Sequence, residues 1–271
     1  MSAALGGKEI KMKIGVSTSC FYPLETELAF ERIAKAGIKT AEVFFNAECE
    51  LKQDFVDILL KIQREYEIDI VSVHPTMSLA ESFMLFSAYD RRLKAGIESY
   101  RRYSEIAAMF GARYIIMHGG KPNGVLENEE YCERYMLLQE AAMQNGVSVL
   151  QENVLRHRAG DIEFLASMQK ILGKDAQFCI DVKQALRCGY DPYELIDRFS
   201  GNIKHFHISD HSEESDCLLP GCGEFDFGEF FRKTRSLGYD GAYIVEVYRN
   251  AYNEYGEIFD SYNFLKTLKN A

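Results

Sequence analysis

Short β-branched and apolar runs alternate with longer amphipathic segments along almost the whole chain, and this alternation restricts the possible folds most strongly. Eight runs predict strands: Lys13–Thr18, Ala41–Phe45, Ile70–His74, Arg113–His118, Val147–Glu152, Gln177–Val182, Ile203–Ser209 and Ala242–Val247. The segments after them predict helices: Glu25–Ala36, Asp54–Tyr66, Arg91–Phe110, Glu129–Asn145, Ile162–Leu172, Pro192–Phe199, Glu229–Leu237 and Ile258–Lys269. Strands that alternate with helices pair in parallel through right-handed crossovers.

Eight strand–helix units favour a closed barrel over an open doubly wound sheet. An open sheet often has a glycine-rich turn after its first strand, whereas here the first run is followed by Ser19-Cys20-Phe21-Tyr22-Pro23. The length of 271 residues is within the range that one barrel fills. The sequence therefore predicts an α/β protein, a single (β/α)8 TIM barrel over residues 12–271 after a flexible leader over residues 1–11.

Charge and composition restrict the partners and the compartment. The formal net charge of −10 counts against nucleic acid, which is bound through basic surfaces. No apolar run approaches the roughly eighteen residues of a membrane span, and the N-terminus has no signal-peptide core. The seven cysteines form no CxxC pair, which favours free thiols in a reducing cytoplasm. We expect a cytoplasmic protein with a small-molecule substrate; its oligomeric state is open.

Polar residues recur at the C-terminal ends of the predicted strands, on one face. In the third run, Ser72 and His74 share one face while Val71 and Val73 share the other, because strand side chains alternate. The same parity points six residues into the barrel: His74, His118, Glu152, Asp181, His207 and Glu246. The alternate positions are apolar and are predicted to pack against the helices.

The last four strands predict a metal site at the mouth of the barrel. Several carboxylates buried together are costly unless a cation compensates them. One imidazole among three carboxylates suits Mn²⁺, the first choice, or Mg²⁺ and Co²⁺, and tolerates Zn²⁺. We expect one divalent ion on a set whose members lie within about 8 Å of one another: Glu152, Asp181, His207 and Glu246. We expect His74 and His118 to share the cavity without ligating that ion.

Several segments together resemble the xylose-isomerase-like barrel superfamily, which contains sugar epimerases and isomerases, inosose dehydratases and endonuclease IV. They are Met117–Gly120, Leu150–Asn153, Cys179–Asp181, His205–Asp210, the glycine-rich loop Pro220–Phe227 and Val245–Val247. The resemblance implies that Glu152 and Glu246 are a catalytic acid/base pair as well as metal ligands. It predicts a divalent-metal-dependent isomerase or epimerase of a sugar or sugar phosphate, working by proton transfer through a metal-bound cis-enediolate.

The sequence departs from the ketose 3-epimerases of this superfamily at two places. Gln184 stands where they have a histidine, and the loop that begins Ser209-Asp210-His211-Ser212 lacks their arginine. Other groups must therefore hold the substrate, and the candidates are His74, His118, Arg156, Lys183, Gln184, His211 and Arg249.

Three alternative functions stay open. An inosose-type dehydratase would use the same metal and base to expel a hydroxyl group. An endonuclease IV-like DNA-repair hydrolase would need further metal ligands where this chain has Gln184 and Ser215-Asp216-Cys217. A non-catalytic sugar-binding barrel would have no need of two opposed glutamates.

Overall fold

The computed structural model describes residues 12–75 and 78–268 and shows a closed barrel of eight parallel strands. The strands are β1 Lys13–Ser17, β2 Thr40–Phe45, β3 Asp69–Pro75, β4 Tyr114–Met117, β5 Ser148–Glu152, β6 Phe178–Asp181, β7 Ile203–Ile208 and β8 Ala242–Val245. Each strand pairs in parallel with the next, and β8 closes the barrel against β1. The predicted (β/α)8 fold is confirmed; the predicted leader lies outside the described residues.

Ten α-helices in the described residues surround the barrel. They are α1 Thr26–Lys35, α2 Gln53–Tyr66, α3 Ser78–Met84, α4 Asp90–Phe110, α5 Asn128–Met143, α6 Ile162–Leu172, α7 Val182–Arg187, α8 Pro192–Phe199, α9 Phe227–Ser236 and α10 Tyr255–Leu268. Eight match predicted helices, but α3 and α7 were not predicted because seven and six residues are too few to show a helical period. Within residues 12–75 and 78–268, no helix has the length and apolarity to span a membrane.

Apolar side chains pack on both faces of the barrel wall. The outward-facing residues join the helices in one large core, which includes Val73, Ile115, Val149, Ile180, Phe206 and Val245. Inside the barrel, two smaller clusters lie nearer the strand beginnings than the polar strand ends do: Ile116, Leu150 and Cys179, and Val71, Ala242 and Ile244. We call these six residues the apolar floor.

The position of Val71 shows that the parity predicted for the third strand was wrong at this residue. It was expected to face the helices, but it packs inside the barrel against Ala242 and Ile244. The register between β2 and β3 shifts at this point, because Ala41 pairs with Ile70 while Glu42 pairs with Ser72. Val71 is thus the extra residue of a β-bulge, which a strict alternation cannot predict.

Gly15 on β1 lies where the barrel interior has no room for a side chain. A Cβ atom here would lie 2.5 Å from the Thr40 carbonyl oxygen and 2.7 Å from Ile244 Cδ1. We expect Gly15→Ala to lower the free energy of unfolding by about 1–3 kcal/mol through overpacking, measured by chemical denaturation. Gly256→Ala is the control, because its added Cβ would meet no atom within 4 Å beyond its own helix backbone and chain neighbours; equal stability of the two variants would contradict the prediction.

Candidate metal centre and active site

Four ligand-type side chains meet at the C-terminal mouth of the barrel. Glu152 and Asp181 are the last residues of β5 and β6, His207 is the penultimate residue of β7, and Glu246 directly follows β8. Each offers one ligand atom, and these four atoms all lie within 4.8 Å of one another. The convergence expected from strand parity is therefore confirmed, while metal ligation by these residues stays a prediction.

The His207 ring orients the cluster. Its Nδ1 lies 2.9 Å from Glu152 Oε1, 3.3 Å from Glu246 Oε2 and 3.9 Å from Asp181 Oδ2. Three carboxylates around one imidazole nitrogen are a donor set that suits a divalent ion of the Mn²⁺ type. The residues present therefore fit the metal that the sequence predicted.

Lys183 brings a positive charge to the same carboxylates. It lies in α7, is 1% exposed, and its ammonium donates to Asp181 Oδ2 and, at 3.2 Å, to Glu246 Oε2. Asp181 also caps α7, because its Oδ1 accepts the Gln184 N–H at 2.9 Å. A buried ammonium offsets part of the cost of grouping these carboxylates. Lys183 thus belongs to the centre itself.

His74 and His118 lie in the same cavity, as expected, and both approach Glu152. The distances from Glu152 Oε2 are 3.0 Å to His118 Nε2 and 3.6 Å to His74 Nε2, and the two Nε2 atoms are 3.1 Å apart. One atom from each of the three residues lies within 4.8 Å of the others. These three residues form a second group with the spacing of a metal site. The expectation that the two histidines ligate no ion therefore stays a prediction.

A cavity of about 360 Å³ opens above this centre. Lys183, Gln184 and Arg249 line it, as substrate-binding candidates should. Six further lining residues, which stand in loops or at strand ends, were not among the predicted site residues: Ser19, Tyr22, Phe44, Asn46, Val247 and Tyr248. Ser19 Oγ donates to Glu246 Oε1 at 3.3 Å.

Arg156 and His211 do not line this cavity as the described residues define it. Arg156 borders a separate surface groove, and its backbone has a left-handed φ of 69°. His211 packs its ring 5.9 Å from that of Phe225, beside grooves on the outer side of the mouth. Both follow strand ends in sequence, but the path of their loops carries them away from the centre.

The structure adds Glu42, which the sequence analysis missed. Glu42 is fully buried on β2, and its Oε2 lies 3.0 Å from His207 Nε2. The Ser72 hydroxyl donates to the same oxygen at 2.7 Å. The sequence did contain a signal, because Glu42 is a single carboxylate that faces inward in an otherwise apolar run. It was missed because the predicted site residues all stand at strand ends, whereas Glu42 stands in mid-strand.

The profile of the xylose isomerase-like TIM barrel family matches residues 30–268. The chain belongs to this family. A relative in Mycobacterium leprae, an uncharacterized protein, is 22% identical over 260 residues that cover 87% of this chain and 89% of the relative.

Solved structures of the same fold include several enzymes. A D-tagatose 3-epimerase-like protein matches with a TM-score of 0.76 at 22% identity, over 95% of this chain and 97% of that one. The 3-keto-D-glucoside 4-epimerase of E. coli matches with a TM-score of 0.76 at 18% identity, over 95% of this chain and 100% of the epimerase. A family 2 AP endonuclease from Brucella melitensis matches with a TM-score of 0.73 at 17% identity, over 94% of this chain and 98% of the endonuclease. At these identities the likeness establishes the fold alone.

In this xylose isomerase-like barrel, burial and neighbouring charges shift the pKa values of the residues in the centre. Burial opposes the charged form of Glu152, but His207 and His118 lower the pKa of its carboxyl well below the ordinary value. Burial also opposes the charged form of His207, but Cys179 and the carboxylates of Glu246 and Glu42 raise its pKa well above the ordinary value. Burial raises the pKa of Asp181 to about 6, although Lys183 acts in the opposite direction. Without a metal, the His207 ring is therefore easier to protonate, and the Asp181 carboxyl harder to ionise, than the free side chains.

We expect metal binding to this xylose isomerase-like barrel to weaken as the pH falls. A proton and a metal ion compete for His207 Nδ1 and, below about pH 6, for Asp181. Each displaced proton should change the affinity by about tenfold per pH unit. Calorimetric titration with Mn²⁺ at about pH 5.5 and about pH 7.5, in buffers of different ionisation enthalpy, measures both affinity and proton release. Equal affinity at both pH values without proton release would contradict this expectation.

Proposed function

We propose that the protein is a divalent-metal-dependent isomerase or epimerase of a sugar or sugar phosphate, with a role in carbohydrate metabolism. The observation that carries this proposal is the pair Glu152 and Glu246, which both approach His207 Nδ1 and both line one cavity. A pure binding site has no need of two carboxylate bases around one metal position. The 3-keto-D-glucoside 4-epimerase, which shares the fold, supports the same class of reaction.

The residues of the centre divide the chemistry between them. Glu152, Asp181, His207 and Glu246 would hold the ion, which would polarise a substrate carbonyl and offset the negative charge that develops beside it. One glutamate then removes the proton from the carbon next to that carbonyl, and the other returns a proton to the same or the neighbouring carbon. Both carboxyl groups have a lowered pKa and are therefore in the basic form at neutral pH.

The rest of the cavity supplies the binding groups. The Lys183 ammonium and the Gln184 amide stand beside the reacting centre, where they can bind substrate hydroxyl or carbonyl oxygens. Arg249 lies at the exposed rim, where its guanidinium, which also donates to the Tyr252 and Asn253 carbonyls, can bind a phosphate of a sugar phosphate. A volume of about 360 Å³ suits a small sugar-like molecule. With the acidic net charge and seven free thiols, this favours a cytoplasmic enzyme without a nucleic-acid partner.

Proton exchange tests the proposal directly. The purified protein, loaded with Mn²⁺, is incubated in deuterated water with ketoses, sugar phosphates and cyclitols. We expect deuterium at the carbon next to the carbonyl of at least one substrate, detected by proton NMR and mass spectrometry. A product lighter by one water would identify an inosose-type dehydratase instead, and no exchange with any member of the panel would count against the proposal.

The group formed by His74, His118 and Glu152 favours a second candidate, a metal-dependent phosphodiester hydrolase. Its spacing allows another ion beside the first, and a family 2 AP endonuclease shares the fold. Metal analysis of the purified protein separates the two functions, because our proposal expects one ion per chain. Two or more ions, together with cleavage of DNA at abasic sites, would establish the hydrolase.

A further inference from the structure

We infer that Glu42 is a positioning residue that fixes the ring of His207, so that Nδ1 faces the metal position. The inference rests on the proposed metal centre and concerns how the chain prepares its one nitrogen ligand. The observation that supports it is that the two nitrogens of the His207 ring lie beside different carboxylates. Nε2 lies 3.0 Å from Glu42 Oε2, whereas Nδ1 lies 2.9 Å from Glu152 Oε1.

The two ring nitrogens need different partners once a metal is bound. A neutral imidazole has one N–H, so a ring that ligates through Nδ1 must keep its hydrogen on Nε2. That N–H is buried with the fully enclosed His207 side chain and needs an acceptor. Glu42 Oε2 is that acceptor. A carboxylate behind a metal-binding histidine fixes the ring orientation and tautomer and makes the ligand more basic.

Glu42 is itself held in place from other strands. The Ser72 hydroxyl on β3 donates to Glu42 Oε2 at 2.7 Å, and His205 Nε2 on β7 lies 3.4 Å from the same oxygen. Glu42 does not line the cavity above the centre as the described residues define it. It therefore acts through His207, without touching a substrate.

Metal affinity tests this role without reference to catalysis. We expect Glu42→Gln and Glu42→Ala to bind Mn²⁺ about 10–100-fold more weakly than the unmodified protein, with Glu42→Ala the weaker binder. Glutamine keeps the shape and one acceptor oxygen but loses the charge, so it separates positioning from simple failure to fold. Calorimetric titration gives the dissociation constants, and thermal unfolding of the metal-free variants shows whether they are folded.

Glu50→Gln is the matched control. Glu50 is another buried carboxylate, but it accepts hydrogen bonds from Thr26 and from the backbone of Asn46, outside the ligand set. The same substitution there should leave the Mn²⁺ dissociation constant unchanged. A general loss of stability would weaken both variants alike, whereas a positioning role weakens metal binding at Glu42 alone.

The proton on the His207 ring is the second readout. In Zn²⁺-loaded protein with nitrogen-15 histidine, NMR should place the His207 proton on Nε2, and Glu42→Ala should lose this single tautomer. If the unmodified protein binds Mn²⁺ and both Glu42 variants bind it within about twofold with the same tautomer, Glu42 has no positioning role while the proposed function stands. If the unmodified protein binds no divalent ion, the metal centre itself is wrong and this inference falls with it.

Discussion

Glu152→Gln and Glu246→Gln are each expected to keep a divalent ion and to lose conversion of substrate into product by about 100-fold or more. Glutamine preserves an oxygen that can ligate the metal, but its amide cannot accept a proton at neutral pH. Loss of either base therefore interrupts removal of the substrate proton or its return. The measurement is conversion of an established substrate into product, with deuterium incorporation and bound metal determined in the same samples.

Glu50→Gln serves again as the control, because it makes the same change at a buried carboxylate that is not among the four expected metal ligands. It should retain exchange close to that of the unmodified protein. Wild-type exchange in both Glu152→Gln and Glu246→Gln would rule out the two-glutamate mechanism. Loss of the metal in either variant would instead show that this carboxylate is needed to bind the ion. Exchange measured at saturating Mn²⁺ would then show whether the same carboxylate also acts as a base.

Removal of the metal is expected to have the second large effect, on both activity and stability. Three carboxylates would then share the site with the single ammonium of Lys183 and the ring of His207. Proton exchange should fall below detection after chelation and return with Mn²⁺. An ion at 100 times its dissociation constant should stabilise the folded protein by about 2.7 kcal/mol, seen as a rise in the unfolding temperature.

Asp181→Asn provides the comparison for this measurement. It removes one charged ligand, so added Mn²⁺ should raise its unfolding temperature less than that of the unmodified protein. Activity and unfolding temperature that do not change on chelation, in protein shown to be metal-free, would contradict metal dependence.

Strand parity explains why most of the centre was predictable from sequence. In a parallel barrel the strand ends share one rim, so Glu152, Asp181, His207 and Glu246 had to meet once their runs were identified. The same reasoning failed at Val71, because a β-bulge interrupts the alternation that it assumes. The rule held at the ends of β6 and β7 although their pairing also shifts in register, because that shift lies before Cys179 and His205.

The remaining differences between prediction and structure concern residues that strand periodicity does not position. Glu42 stands in mid-strand, and its partnership with His207 becomes visible once the barrel closes. Arg156 and His211 occupy loops whose paths depend on turn geometry, and they lie outside the cavity. Lys183 was expected to bind substrate, but the short helix α7 also turns its ammonium onto Asp181.

The apolar floor imposes an order of addition on the proposed enzyme. The floor residues close the barrel beneath the metal position, and in the described part of the chain the cavity opens at the strand ends. In the proposed enzyme, the ion and the sugar would then share one entrance, with the ion's place the deeper of the two. The ion would enter first and leave last, and a bound sugar would keep it in place.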